Sequence, residues 1–132
     1  MTRFFSFATA LLAVASGANA QCGSGSPHAT VTGSGSSFTA SKGSTSVYSG
    51  SDYRAAIQAA VDSISSGQRV AVMASGSIGA NTITIGSGKI FEGCGTINTA
   101  NRAGHGAIEV LNASGVQIPY LSMSKSIPPY PT

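Results

Sequence analysis

Few side chains in this sequence are suited to acid–base or nucleophilic chemistry. The acids are Asp52, Asp62, Glu92 and Glu109, and the histidines are His28 and His105. Glycoside hydrolysis requires two carboxyl groups facing one another across the scissile bond. Asp52 and Asp62 lie ten residues apart on a segment of helical pattern, nearly three turns, and cannot flank one bond together. Glu92 and Glu109 remain as the candidate pair, on the same side of adjacent strands, although both also fit as ordinary surface residues. A lyase would instead set a cationic base, Arg69, Lys89 or Arg102, beside Glu92 or Glu109. His105, between Gly104 and Gly106, is the best lone candidate for proton transfer, with a polar loop role as the simpler reading; His28 sits in a Gly/Ser-rich stretch. Serines are abundant, but Ala74-Ser75-Gly76 and Gly33-Ser34-Gly35 lack the strand–turn–helix setting of a nucleophile elbow. Glu92, Glu109 and His105 are therefore the candidate catalytic groups, and none belongs to a motif that demands catalysis.

Cofactor chemistry finds still less support. The cysteines, Cys22 and Cys94, are far apart, and no paired-histidine motif accompanies them, so no metal site is expected. The Gly-rich runs lack both the P-loop lysine and the dinucleotide-binding pattern, and no cofactor is expected. Tyr120 with Tyr130 offers a small surface for stacking on a sugar, although a core or incidental role accounts for them as well.

The N-terminus reads as an export signal. Arg3 forms a basic head, and Phe4, Phe5, Phe7, Leu11, Leu12 and Val14 form an apolar stretch. Ala18-Asn19-Ala20 supplies the small side chains that a signal peptidase accepts, so residues 1–20 are read as a signal peptide and the mature chain as starting at Gln21. The run is too short for a membrane anchor, and no membrane association is expected. Export leads to an oxidising compartment, where Cys22 and Cys94 are expected to form a disulfide. Asn112-Ala113-Ser114 is an N-glycosylation sequon, and Asn112 is the candidate acceptor.

Charge is sparse. The chain carries seven basic and four acidic residues; removal of Arg3 with the leader leaves a formal +2. The remaining cations, Lys42, Arg54, Arg69, Lys89, Arg102 and Lys125, are scattered and form no footprint for nucleic acid.

Three kinds of element must position these groups. Residues 21–51 are rich in Gly, Ser and Thr, with Phe38, Val47 and Tyr48 the few large apolar side chains. This composition reads as an extended arm laid against the core through Phe38 or Tyr48, with Ala29-Thr30-Val31-Thr32 a weak strand. Tyr53, Ile57, Ala60, Val61 and Ile64 then recur at intervals of three and four, the stripe of an amphipathic helix. Ser49 or Ser51 is suited to cap it, Asp52 to favour its first turn and Gly67 to follow its last, while Arg54, Gln58 and Asp62 line its wet face. Beyond Arg69, short β-branched groups (Val70 and Val72, Ile78, Ile83 and Ile85, Ile90, Ile97, Ile108 and Val110, Val116 and Ile118) alternate with Gly and Asn. These read as brief strands between tight turns, without a second helix. The C-terminal residues 125–132 carry Pro128, Pro129 and Pro131, which cannot donate to a ladder, and read as a tail leaving the fold.

Residues 52–124 resemble the N-terminal region of secreted fungal proteins of the pectate-lyase-like superfamily. The likeness rests on Asp52-Tyr53-Arg54-Ala55-Ala56-Ile57-Gln58-Ala59-Ala60-Val61, similar to their N-terminal capping helix, and on Arg69-Val70-Ala71-Val72, similar to their first strand. Thr82-Ile83-Thr84-Ile85, Lys89-Ile90-Phe91-Glu92-Gly93-Cys94-Gly95-Thr96-Ile97, Ala107-Ile108-Glu109-Val110 and Gly115-Val116-Gln117-Ile118 resemble later coils. The resemblance implies a mostly β fold: a short right-handed parallel β-helix, a solenoid, with an N-terminal capping α-helix. It also implies a fungal cell exterior as the setting. Active groups in that superfamily lie on central coils that this chain does not reach. The expected function is a secreted, non-catalytic interaction protein, an effector or elicitor acting on a host protein or the cell wall. The alternatives are a truncated polysaccharide lyase or glycoside hydrolase, and a carbohydrate-binding module for cell-wall polysaccharide. An uncapped last coil would pair with another copy, giving a homo-oligomer.

Overall fold

Two Gly-Ser pairs, Gly35-Ser36 and Gly43-Ser44, organise the segment that composition presents as an arm. In the computed structural model, which describes residues 22–125, they are the two-residue turns of a meander. Its strands are β1 (Ala29–Ser34), β2 (Ser37–Lys42) and β3 (Thr45–Gly50). Gly35 and Gly43 take φ of +64° and +60°, the left-handed geometry that tight hairpin turns require and that glycine adopts without penalty. Both pairings are antiparallel, with Val31 opposite Ala40 and Ala40 opposite Tyr48. The segment 29–50 is thus three strands of the sheet, with Ala29, Val31, Phe38 and Ala40 buried. Residues 1–20, read above as an export signal, together with Gln21, Pro128, Pro129 and Pro131, lie outside the described residues.

Helix α1 (Tyr53–Ser63) follows. Asp52 is its N-cap, with the carboxylate accepting from the Ala55 amide at 3.0 Å, the bond that satisfies an otherwise orphaned helix donor. The apolar stripe faces inward: Tyr53, Ala56, Ile57, Ala60 and Val61 are buried. The polar face is not simply wet. Arg54 Nε donates to the Thr82 carbonyl at 2.9 Å, and Gln58 both donates to the Thr84 carbonyl and accepts from its amide. These bonds fix the segment 82–85 alongside the helix, so that Ile83 and Ile85 enter the core.

The remaining strands are β4 (Arg69–Val72), β5 (Gly76–Gly79), β6 (Ile83–Thr84), β7 (Ile90–Thr99), β8 (Ile108–Glu109) and β9 (Gln117–Lys125). The main sheet runs β9-β7-β4-β1-β2-β3, with β5 also on β7, and β6 pairs with β8 in a separate two-stranded sheet. The ten-residue β7 is the template of this half. Its first residues pair in parallel with β4, its last with β5, and its other edge with β9. Pro119 falls where the β9 register shifts between Gln117 and Tyr120, an irregularity that tolerates a missing N–H.

This arrangement corrects the expectation of a right-handed parallel β-helix. The sheet is mixed, antiparallel over β1–β3 and parallel over β1, β4, β7 and β9, and the strands do not close into a solenoid. The physical reason lies in the two hairpins, which make residues 29–50 part of the sheet rather than an arm outside it. The long β7 adds to it, because one strand serves three partners and the short β-branched groups do not repeat as equivalent coils.

Tyr53 ties helix to sheet. Its ring packs on Phe38 with centroids 5.0 Å apart, and its hydroxyl donates to the Ala74 carbonyl at 2.7 Å. Burial pushes that hydroxyl up to about 12. The folded state keeps a proton that the unfolded chain loses near pH ~10, so stability falls as pH rises between those two values. Urea unfolding on either side of pH ~10 should show a steeper alkaline loss for the native sequence than for Tyr53→Phe. Equal slopes would contradict this placement.

Candidate functional site

Glu92 is built into a clasp. It lies on β7 opposite Ala71 and Tyr120, with 6 % of its surface exposed. Its Oε1 accepts from Arg69 Nη1 at 2.6 Å and from the Gly23 amide at 2.9 Å. The second Arg69 amine donates to the Ser24 carbonyl. The Arg69 backbone meets His28 twice: its amide donates to Nδ1 at 3.1 Å, and its carbonyl accepts from the His28 amide at 2.8 Å. Beside these contacts Cys22 and Cys94 form the disulfide, with Cα atoms 5.7 Å apart. The group fastens residues 22–28 across β4 and β7. A half-buried ion pair of this kind is costly to break from one side, because the remaining charge is left uncompensated. Glu92 Oε1 is thus engaged in holding the clasp together. The Cys22, Cys94 and Glu92 ligand atoms lie within 4.8 Å of one another, but the disulfide consumes both thiolates that a soft metal would need.

Glu109 stands elsewhere, on β8 of the two-stranded sheet. Its Oε2 accepts from the Gly106 amide at 3.0 Å and lies 3.0 Å from His105 Nδ1. The Gly106 N–H, helped by His105 and Arg102, outweighs the opposing effect of desolvation and holds its carboxyl below the usual range. Such a group keeps its charge and is a poor proton donor. His105 closes the same turn, its amide donating to the Arg102 carbonyl at 3.1 Å, and Arg102 reaches Thr82 Oγ1 at 2.8 Å.

Glu92 and Glu109 are therefore on different sheets and bound to different partners. Both remaining acids and one further cation are also engaged: Asp52 in the helix cap, Asp62 with Gln58, and Lys89 with the Val61 carbonyl at the end of α1. Among the described residues, no two carboxylates face one another across a gap. Asn112 is exposed, in the left-handed conformation at φ 52° that asparagine tolerates, and is accessible as a glycan acceptor. Tyr120 is half-buried on β9, and its proposed companion Tyr130 lies outside the described residues.

Two surfaces emerge that individual residue types do not announce. The first is a cleft of about 530 Å³ between the β1–β2 turn, the start of α1 and the β4–β5 corner, lined by Gly35, Phe38, Ser51, Asp52, Tyr53, Ser75, Gly76 and Ser77. Gly76 permits it: a Cβ there would stand 2.8 Å from the Tyr53 ring. From its rim, small polar side chains run over the sheet face in two rows. In one, the Thr96 amide donates to Ser75 Oγ at 2.9 Å, and the Thr96 and Ser122 hydroxyls are 3.2 Å apart. In the other, Ser77 Oγ meets Asn98 Oδ1 at 3.4 Å, and Asn98 Nδ2 donates to Ser124 Oγ at 2.9 Å. A polar-x-polar triplet recurs at Ser75-Gly76-Ser77, Thr96-Ile97-Asn98 and Ser122-Met123-Ser124, the signal by which the rows were open to detection.

The second surface is the outer edge of the sheet. β9 is its last strand, and Ile118, Leu121 and Met123 on it are 37 %, 45 % and 40 % exposed. Leu121 sits over Gly93, and Met123 pairs with the buried Ile97, so this row extends the core past the cover that the described residues provide.

Compared with protein-family models, curated protein sequences and solved structures, the chain matches none.

Proposed function

We propose that this chain is an exported, non-catalytic interaction protein that assembles with a second copy of itself through β9. The observation that carries the reading is the combination of the last position in the sheet order among the described residues and three exposed apolar side chains on the same strand. A strand edge of this kind is a template for another strand, and soluble proteins usually blunt it with charge. From Gln117 to Ser124 β9 carries no charge. An antiparallel copy centred on Leu121 sets Leu121 against itself, Ile118 against Ser124 and Gln117 against Lys125, so no like charges meet. Pro119 would oppose Met123 and removes one ladder bond. Export is supported by the N-terminal leader pattern and is compatible with the disulfide. The committed carboxylates weigh against a hydrolase or lyase.

Sedimentation velocity of the purified protein over a wide concentration range tests the assembly. The native sequence is expected to shift reversibly from monomer to dimer, while Leu121→Lys combined with Met123→Lys remains monomeric with an unchanged far-UV spectrum. A native protein that stays monomeric throughout would overturn the reading. Release of reducing or unsaturated ends from polygalacturonate or a β-glucan, lost on changing Glu92 or Glu109, would overturn its non-catalytic part.

A further inference from the structure

We infer that the cleft and the two polar rows form one continuous binding track for a neutral pyranose polymer. Ser75 and Ser77 belong to both features: they line the cleft and head the rows that cross β7 to β9. With strands about 4.8 Å apart, the rows extend roughly 10 Å across the sheet. Ser75, Ser77, Thr96, Ser122 and Ser124 are exposed, so their remaining donor and acceptor positions face outward. Their mutual hydrogen bonds fix the side chains before a ligand arrives, which lowers the ordering cost of binding.

The chemistry of the track selects its occupant. No lysine or arginine lines the cleft or the rows, and the one charge is the Asp52 carboxylate. A polyanion, whether nucleic acid or a uronate chain, would meet a negative group and no cation. A polymer bearing many hydroxyls meets donors and acceptors at each rung, and Asp52 accepts from hydroxyl groups while one of its oxygens caps the helix. Phe38 and Tyr53 close the base of the cleft but are buried, so the contacts it offers a ligand are chiefly those of Ser51, Asp52, Ser75 and Ser77. The rows lie on the face of β9, not on its edge, so the track holds whether or not β9 pairs with a copy.

Affinity electrophoresis in gels containing laminarin, hydroxyethyl cellulose or polygalacturonate tests the track. The native protein is expected to be retarded by a neutral glucan and not by polygalacturonate. Thr96→Ala combined with Asn98→Ala, and separately Ser122→Ala combined with Ser124→Ala, should each weaken retardation about tenfold, the scale of one or two lost hydrogen bonds. Thermal unfolding of both variants identifies loss of fold, and the outer pair, on exposed β9, carries the test if the inner pair misfolds. No retardation by either neutral glucan, retardation by polygalacturonate alone, or undiminished retardation of folded variants would overturn the proposal.

Discussion

Replacing Cys22 and Cys94 together by serine is expected to lower the unfolding free energy by about 4 kcal/mol. The bond closes a loop with a sequence separation of 72 residues, and the denatured chain gains the freedom of that loop once it is opened. The native state loses something as well. Cys22 is followed directly by Gly23, whose amide holds Glu92, and by Ser24, whose carbonyl holds Arg69. Without the bond, residues 22–28 remain attached by these polar contacts and by the His28 pairing, none of which restricts the denatured chain. Urea unfolding of the double variant against the oxidised native protein measures the loss. A difference below about 1 kcal/mol would mean that the clasp, not the disulfide, fixes this end of the chain.

Gly95→Ala is expected to cost about 3 kcal/mol, at the upper end of overpacking effects. Gly95 is buried on β7, where that strand passes the corner between β4 and β5. A Cβ at this position would stand 2.5 Å from the Ala74 carbonyl carbon and closer still to its oxygen. The obstacle is backbone, so no side chain can rotate out of the way. That carbonyl also accepts the Tyr53 hydroxyl, and moving it disturbs the tie between helix and sheet. Cys94, the preceding residue, would shift with it. Gly86→Ala provides the contrast: its nearest neighbours are the flexible Lys89 side-chain atoms at 3.6 Å and beyond, and it should change stability by less than about 0.5 kcal/mol. Denaturant midpoints for both variants decide the matter, and similar values would contradict the corner geometry.

The legibility of this fold follows the strength of its local signals. Helix α1 was readable because apolar spacing and alanine content agree over Tyr53–Ile64, although its cap is Asp52 and not Ser49 or Ser51. The β-branched groups marked the positions of β4 to β7, where Val70, Val72, Ile78, Ile83 and Ile97 turn inward, whereas Ile118 on β9 is exposed. Pairing was not readable in the same way. Gly35-Ser36 and Gly43-Ser44, eight residues apart, are two-residue hairpin loops, but the polar composition around them concealed the strands that Ala29, Val31, Phe38 and Ala40 anchor. Missing those hairpins left an all-parallel solenoid as the expectation. The acids show a second limit. Glu92 and Glu109 were singled out by type, yet their roles depend on Gly23, Arg69, Gly106 and His105, contacts that only the fold assembles. The edge exposure of Leu121 and Met123 follows from strand order, a property of the whole chain that no local window holds.

The most direct measurement of the central claim is residue-resolved amide exchange over Gln117–Lys125 at low and high protein concentration. Pairing through β9 predicts that part of this strand, unprotected in dilute solution, gains protection as concentration rises, while β3 at the opposite edge does not. Exchange in β9 that is independent of concentration would contradict it.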